Sequence, residues 1–355
     1  MISIYFKIAF LSIVYFLNTP SGYAQKQKQK VAKVQIQESA KLTRLKTESS
    51  QSEYAHYNPE NNKLLYYGLL ADNDNRVIGS VIAVRNLNDS TEQILDRNVG
   101  YPHLGWVDTS HVLIYRTFPE RSRPKNFFSQ DYKRAVYIYD LNTGMADTID
   151  NLPLRIINNR IKVDFPYLVY QTGTVKNPRL YKYDLRNRQT VALLRDSAQF
   201  GFDDMQFAFR VSDDRLIYCE SQKLYINLMK CISSGLETTL FDAIQGSVDI
   251  TFDKFANRFY FLHYKSLPPG PDEIVGSGYQ ELKSYNFDTK EVKLHYVFKK
   301  HSMITGISPY EKNTVIVSLS TLTDKPTTQS MSVGEVPMRV STAYESHIYI
   351  LKFDD

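Results

Sequence analysis

The sequence predicts an all-β protein, a six-bladed β-propeller closed by pairing of an N-terminal strand with the last blade. Three observations lead there: a composition suited to strands, a hairpin phrase that recurs along the chain, and a final unit one strand short. The chain has 355 residues, of which 43% are hydrophobic, with 26 Tyr and 19 Phe. Tyr and Phe suit the half-buried pleated surface of strands. A propeller holds more than about 300 residues in one cyclic unit, so this length does not by itself demand two domains. From about residue 33 onward no amphipathic helix of twelve or more residues stands out, and short alternating runs bounded by Asn, Asp, Gly and Pro recur.

The recurring phrase is clearest as "AVYIYDLNTG" at 135–144, "RLYKYDLRNR" at 179–188 and "ELKSYNFDTK" at 281–290. Each is a Tyr-rich strand, then Asp or Asn, then Leu or Phe, then a polar turn into another strand. The turns fall at Asn142-Thr143-Gly144, Arg186-Asn187-Arg188 and Asp288-Thr289-Lys290, and weaker copies occupy 82–95 and 225–240. Upstream of each copy lies a second hairpin, clearest as "YAHYNPENNKLLYYG" at 54–68. Its turns are marked by Pro59, Asp108, Asp164, Ser212, Asp253 and Ser308, in steps of 49, 56, 48, 41 and 55 residues. Two successive hairpins about every 50 residues are the pattern of a propeller blade, and six markers predict six blades. The last unit ends at "SHIYILKFDD", 346–355, which supplies only a third strand. Either "AKVQIQE" or "AKLTRLK", within 32–46, supplies the missing outer strand and protects the edge.

"HYNPENNKLLYYG" and "YIYDLNTGMADTI" resemble the WD40-like (PD40) repeats of the TolB-like six-bladed propellers, a resemblance that covers the chain from about residue 33 to 355. Only the first blade keeps a near match to the usual proline-aspartate-glycine turn, at Pro59-Glu60-Asn61. The resemblance implies an interaction platform of the bacterial envelope.

The N-terminus points outside the cytoplasm. Lys7 precedes an apolar run, Ile8 to Leu17, then Pro20 and the small residues Ser21, Gly22 and Ala24. That order is a secretory signal peptide with cleavage after Ala24, and the run is too short for the roughly 20 residues of a membrane span. The expected organisation is a signal peptide over 1–24, a flexible lead-in over 25–32 and one propeller domain over 33–355. The mature protein is expected to be periplasmic or extracellular, without stable membrane insertion. Net charge is +5, with Lys and Arg scattered among nearly as many acids, which gives no nucleic-acid footprint. A hairpin turn near Ser221 would leave Cys231 roughly 23 Å along the strand from the point opposite Cys219, so two free thiols are expected.

Extra chain length falls in the second-to-third connections, Leu70 to Ser80, Phe118 to Arg134, Ser266 to Gln280 and Thr321 to Tyr344, the last Ser/Thr-rich and expected to be partly disordered. In a propeller these open on one face, and loops on a rigid scaffold carry binding groups. The candidate binding residues come from "TFPERSRPKNFFSQDYKR": Phe118, Arg121, Arg123, Lys125, Phe127, Phe128, Tyr132, Lys133 and Arg134. Arg and aromatics are the types that anchor interfaces. The competing reading is a solvated loop with its aromatics tucked against blade two.

Catalytic and metal motifs are thin. The seven His show no H-x-H or H-E-x-x-H spacing, "VGSGY" at 275–279 is not a nucleophile elbow, and Arg76 in "DNDNR" occupies a position where a calcium loop needs an oxygen. No cofactor, metal or catalytic residue is assigned. The expected function is an exported, non-catalytic propeller that binds a protein or glycan partner of the cell envelope through its long-loop face. The alternative is a polysaccharide lyase or hydrolase with a site at the mouth of the central channel. Convergence there of His and charged residues with displaced pKa values discriminates the two.

Overall fold

The structure, a computed structural model, describes residues 40–72, 77–97, 102–118, 133–149, 156–174, 177–193, 207–223, 226–233, 235–244, 247–266, 278–299, 302–333 and 336–354. Gln37–Asp355 forms one unit, whereas Met1–Ile36, with the expected signal segment, lies outside the described residues. The strands make six four-stranded antiparallel sheets. Blade 1 is β2 (Gln51–Asn58), β3 (Lys63–Ala71), β4 (Val77–Asn86) and β5 (Glu92–Arg97). Blade 2 is β6 (His103–Trp106), β7 (His111–Phe118), β8 (Lys133–Asp140) and β9 (Ala146–Thr148), and blade 3 is β10 (Ile156–Asp164), β11 (Tyr167–Thr174), β12 (Asn177–Asp184) and β13 (Gln189–Ala192). Blade 4 is β14 (Phe207–Arg210), β15 (Arg215–Lys223), β16 (Ile226–Ser233) and β17 (Leu236–Ile244). Blade 5 is β18 (Ser247–Phe252), β19 (Arg258–Ser266), β20 (Gly278–Asn286) and β21 (Val292–Val297).

Blade 6 takes β22 (Ser302–Glu311), β23 (Thr314–Val333) and β24 (Val336–Lys352), with β1 (Lys41–Leu45) as its outer strand. The segment that closes the ring is therefore "AKLTRLK", paired from Lys41↔Lys352 to Leu45↔Ile348. Successive residues of a strand face opposite sides. Accordingly, Leu42 joins the core between blades 5 and 6, and Leu45 the core between blades 6 and 1.

The same alternation builds the whole core. Each second strand is buried on both faces: Leu64 and Tyr66 pack toward blade 6, whereas Leu65, Tyr67 and Leu69 pack toward blade 2. Val112 and Ile114 face blade 1 while Leu113 and Tyr115 face blade 3. Six clusters result, one at each interface between neighbouring blades. Fully burying one such side chain contributes about 1.5–3 kcal/mol. The ring is thus held by interfaces spread evenly around it.

The repeated phrase has a common turn. In Asn86, Asp140, Asp184 and Asn286 the side chain accepts the N–H two residues on, at 3.0, 2.8, 2.8 and 2.8 Å. The backbone carbonyl of each accepts the N–H four residues on, from Ser90, Gly144, Arg188 and Lys290, all with positive φ. The apolar residue that follows the Asx donates to the first hairpin of its own blade: Leu87 to Asn62, Leu141 to Ser110, Leu185 to Pro166 and Phe287 to Asn257. Phe353 donates to Asn313 in the same way, which identifies the end of the chain as the third strand of blade 6.

Several expectations are corrected. Ser308 lies within β22, and the turn of blade 6 is Lys312-Asn313, because pairing runs on to Glu311↔Thr314. β15 continues to Lys223, so the turn lies after Ser221 and the register pairs Cys219 with Met229 and Cys231 with Ile217. The cysteines are thus two positions apart on adjacent strands rather than far removed, and no disulfide joins them. Pairing also shortens the first connection to 72–76, through Leu70↔Gly79 and Ala71↔Val77. The 320–343 segment, expected as a partly disordered loop, continues β23 and β24 as a paired ribbon from Thr327↔Thr342 to Val333↔Val336.

Candidate functional site

The two faces of the ring differ in construction. On one, first and second strands are joined by short turns and third and fourth strands by the Asx turns. On the other, the connection in blade 2 spans 119–132, that in blade 5 spans 267–277, and blade 6 projects the ribbon. Beyond Thr321 and before Ile348 this ribbon has no third strand among the described residues. Of the expected binding residues, Phe118, Lys133 and Arg134 have a described backbone. They close the ladder of blade 2 through Phe118↔Lys133 and Thr117↔Arg134, which sets the base of the loop on the long-connection face. Arg121, Arg123, Lys125, Phe127, Phe128 and Tyr132 lie outside the described residues.

A second constellation lies in the central channel. The first strands of successive blades touch one another around a closed ring. Polar side chains on them bond to the backbone of a neighbouring blade. Val211 N–H donates to Asp164 Oδ2 at 2.7 Å, Ile307 N–H to Asp249 Oδ2 at 2.8 Å and Tyr57 N–H to Ser308 Oγ at 2.9 Å. The indole of Trp106 donates to the carbonyl of His56 at 2.7 Å. Such bonds satisfy backbone groups that have no strand partner on the channel side.

Lys162 breaks this neighbour-to-neighbour pattern. From blade 3 it crosses the channel to blade 5, with Nζ 3.0 Å from Asp249 Oδ1, and its side chain is 33% exposed against 20% for Asp249. Asp249 sits at a bulge in β18 with φ of 52°, and Tyr54 holds a bulge in β2 with the same φ. Side chains rarely adopt this left-handed region, and such residues cluster at functional sites. His56 of blade 1 feels the charges of both residues of this pair. Its pKa is pushed down to about 4, first by burial, then by the charge of Lys162, with Asp249 opposing and Lys254 adding to the fall. Burial raises the pKa of Asp164, against the hydrogen bond from Val211 and the charges of Lys254 and Arg210. The channel groups of three blades are thus an imidazole, His56, two ammonium groups, Lys162 and Lys254, and two carboxylates, Asp249 and Asp164.

None of these residues was among the sequence candidates. The available signal was positional: His56 and Lys162 stand two residues before Asn58 and Asp164, the strand ends that pair with Lys63 and Tyr167. Aligning the repeats on these ends shows two titratable residues at one position.

A third group lies on blade 5. Glu281, only 2% exposed, is 2.7 Å from Lys283 Nζ, 3.0 Å from Lys265 Nζ and 3.2 Å from His263 Nδ1. Burial alone would raise its pKa, yet hydrogen bonds from these three partners and the charge of Lys283 bring it down to about 2. This group is an internal ion cluster of one sheet. Among the described residues, no group of three or more His, Cys, Asp or Glu could hold a metal ion, and no helix is long and apolar enough to cross a membrane.

No family model matches the sequence, and no curated protein matches it. Solved structures do resemble it. An oligogalacturonate lyase in complex with manganese is 12% identical with a TM-score of 0.49, over 90% of this chain and 95% of that one. TolB from Acinetobacter baumannii is 12% identical with a TM-score of 0.46, over 84% of this chain, which spans 65% of the TolB chain. The β-propeller domain of the Trilobed protease from Pyrococcus furiosus is 11% identical with a TM-score of 0.43, over 78% and 91%. The fold of this protein is a six-bladed β-propeller, as its six four-stranded sheets show.

Proposed function

We propose that the protein is an exported, non-catalytic propeller that binds a protein or glycan partner of the cell envelope through its long-connection face. The asymmetry between the faces carries this reading: short and Asx turns close one, while the long connections of blades 2 and 5 and the ribbon of blade 6 open on the other. The aromatic and basic loop over 119–132 supplies the anchoring residue types. Export rests on the signal-like segment, with N-terminal sequencing of the mature protein expected to begin at Gln25. The test is affinity capture from envelope extract with residues 25–355 beside a variant lacking 119–132. A partner held by the first and lost by the second supports the reading, and a partner held equally by both moves the site elsewhere.

A second reading, a polysaccharide lyase or hydrolase, is favoured by the convergence of His56, Lys162 and Asp249 in the channel. It ranks second because a catalytic base works best with a pKa near the operating pH, and an imidazole at about 4 is a weak proton acceptor at neutrality. Turnover of polysaccharides by the wild type, abolished in His56→Asn, would reverse the order.

A further inference from the structure

We infer that the interface between blades 4 and 5 holds a binding site for a soft monovalent cation of the Cu(I) class, formed by the sulfurs of Cys219, Met229 and Cys231. Cys219 stands directly opposite Met229 on adjacent strands, and Cys231, two residues beyond Met229, stands opposite Ile217. Residues two apart on a strand share a face, so Ile217, Cys219, Met229 and Cys231 point the same way. That face is the packed one. Ile217, Met229 and Cys231 lie in the cluster that Ile250, Phe259 and Phe261 of blade 5 complete, and Cys219 packs against it. Three of the four corners of one patch of sheet are therefore sulfur.

The spacing suits a metal and not a disulfide. Directly opposed residues have Cβ atoms about 4.5–5.5 Å apart, and diagonal neighbours such as Cys219 and Cys231 have Cα atoms about 7–8 Å apart. That diagonal exceeds the roughly 4.4–6.8 Å of a disulfide. Two metal–sulfur bonds of about 2.3 Å bridge about 4.6 Å between sulfurs, a gap that two thiols turned toward each other along the diagonal can meet, with the Met229 thioether beside it. Thiolate and thioether together select Cu(I) over harder cations. Met229 is 0% and Cys231 5% exposed, so water is kept from the inner ligands, whereas Cys219 is only partly buried and gives a way in from solvent. Binding breaks two S–H bonds and forms two metal–thiolate bonds, while Met229 donates a lone pair. Two protons pass to solvent and no electron is transferred. The bound centre carries one negative charge. Burial pushes the Cys231 thiol up, so the metal itself must displace the proton, and the charges acting there, Arg215 and Arg210 against Asp213, favour the anion.

The test is anaerobic titration of the reduced full chain with Cu(I), with bicinchoninate as competing chelator. One ion per chain is expected, together with release of two protons and a rise in the midpoint of thermal unfolding. Met229→Leu conserves side-chain volume and should fold as the wild type does, yet bind about tenfold more weakly. Cys219→Ser, at the solvent side, should weaken binding roughly a hundredfold. Removal of 119–132 should leave affinity unchanged, which separates this site from the partner-binding face. No ion retained against the chelator, two ions per chain, or equal affinity in Met229→Leu would overturn the inference.

Discussion

Two ion pairs within one stretch of blade 5 are built for opposite ends. Asp253 is 0% exposed and accepts from Arg258 Nε at 2.7 Å, Tyr260 Oη at 3.0 Å and the N–H of Phe255 at 2.8 Å. Arg258 in turn donates to Asn313 of blade 6 at 2.7 Å. Four residues earlier, Asp249 pairs directly with the partly exposed Lys162 at 3.0 Å across the channel. Buried charges are retained only when every partner is present, because the desolvation already incurred is large. A pair that water can reach is worth little to stability. The sealed pair belongs to the scaffold, whereas the partly exposed one adds little to it.

The largest effect expected is therefore at Asp253. Asp253→Ala strands the Arg258 guanidinium inside the turn and should lower the unfolding free energy by about 3–5 kcal/mol. Lys162→Met, which removes a partly solvated partner, should lower it by less than about 1 kcal/mol. Urea unfolding of the two variants checks the contrast, and equal losses would abolish the distinction between sealed and partly exposed pairs.

The channel makes a further contribution that depends on pH. His56 has a folded pKa of about 4 against an ordinary value of 6.5, so the unfolded chain takes up a proton that the folded protein refuses. The stability this provides is present above 6.5 and is lost as pH falls from 6.5 toward about 4. His347, pushed down by burial and by Arg44, works in the same direction, whereas Glu281 loses its contribution only as pH falls from its usual 4.5 toward 2. Between pH 6.5 and 5 the wild type should thus lose more stability than His56→Asn. Chemical unfolding at both pH values measures the difference, and parallel losses would mean that His56 titrates normally.

What was legible in the sequence follows from the range over which each feature is fixed. The Asx turns are local: Asp140 and Asp184 bond to N–H groups two residues away, so the phrase announces itself wherever it recurs. Blade count and ring closure follow from counting such phrases. The channel is fixed by the ring instead, which brings Lys162 and Asp249, 87 residues apart, to within 3.0 Å, a meeting that no spacing encodes. The cysteines show the intermediate case. An error of about three residues in a turn position turned two-residue neighbours into distant ones, because register multiplies a small misplacement along the whole strand.

The smallest effect tests the phrase itself. Gly144, Arg188, Lys290 and Ser90 occupy one position with φ of 72°, 54°, 59° and 64°, yet only one of them is the residue that tolerates this conformation freely. A Cβ placed on Gly144 would approach Tyr139 Oη at 3.6 Å, an ordinary contact, so Gly144→Ala is opposed by backbone conformation and not by a clash. It should destabilise by about 1 kcal/mol, the usual penalty of a left-handed non-glycine residue. Lys290→Gly makes the reverse change in blade 5, relieving the same strain while giving the unfolded chain more freedom, and should stabilise by somewhat less. Opposite signs in thermal unfolding would show that the two turns are one structure written with different residues. Equal signs would mean that each blade sets its own turn.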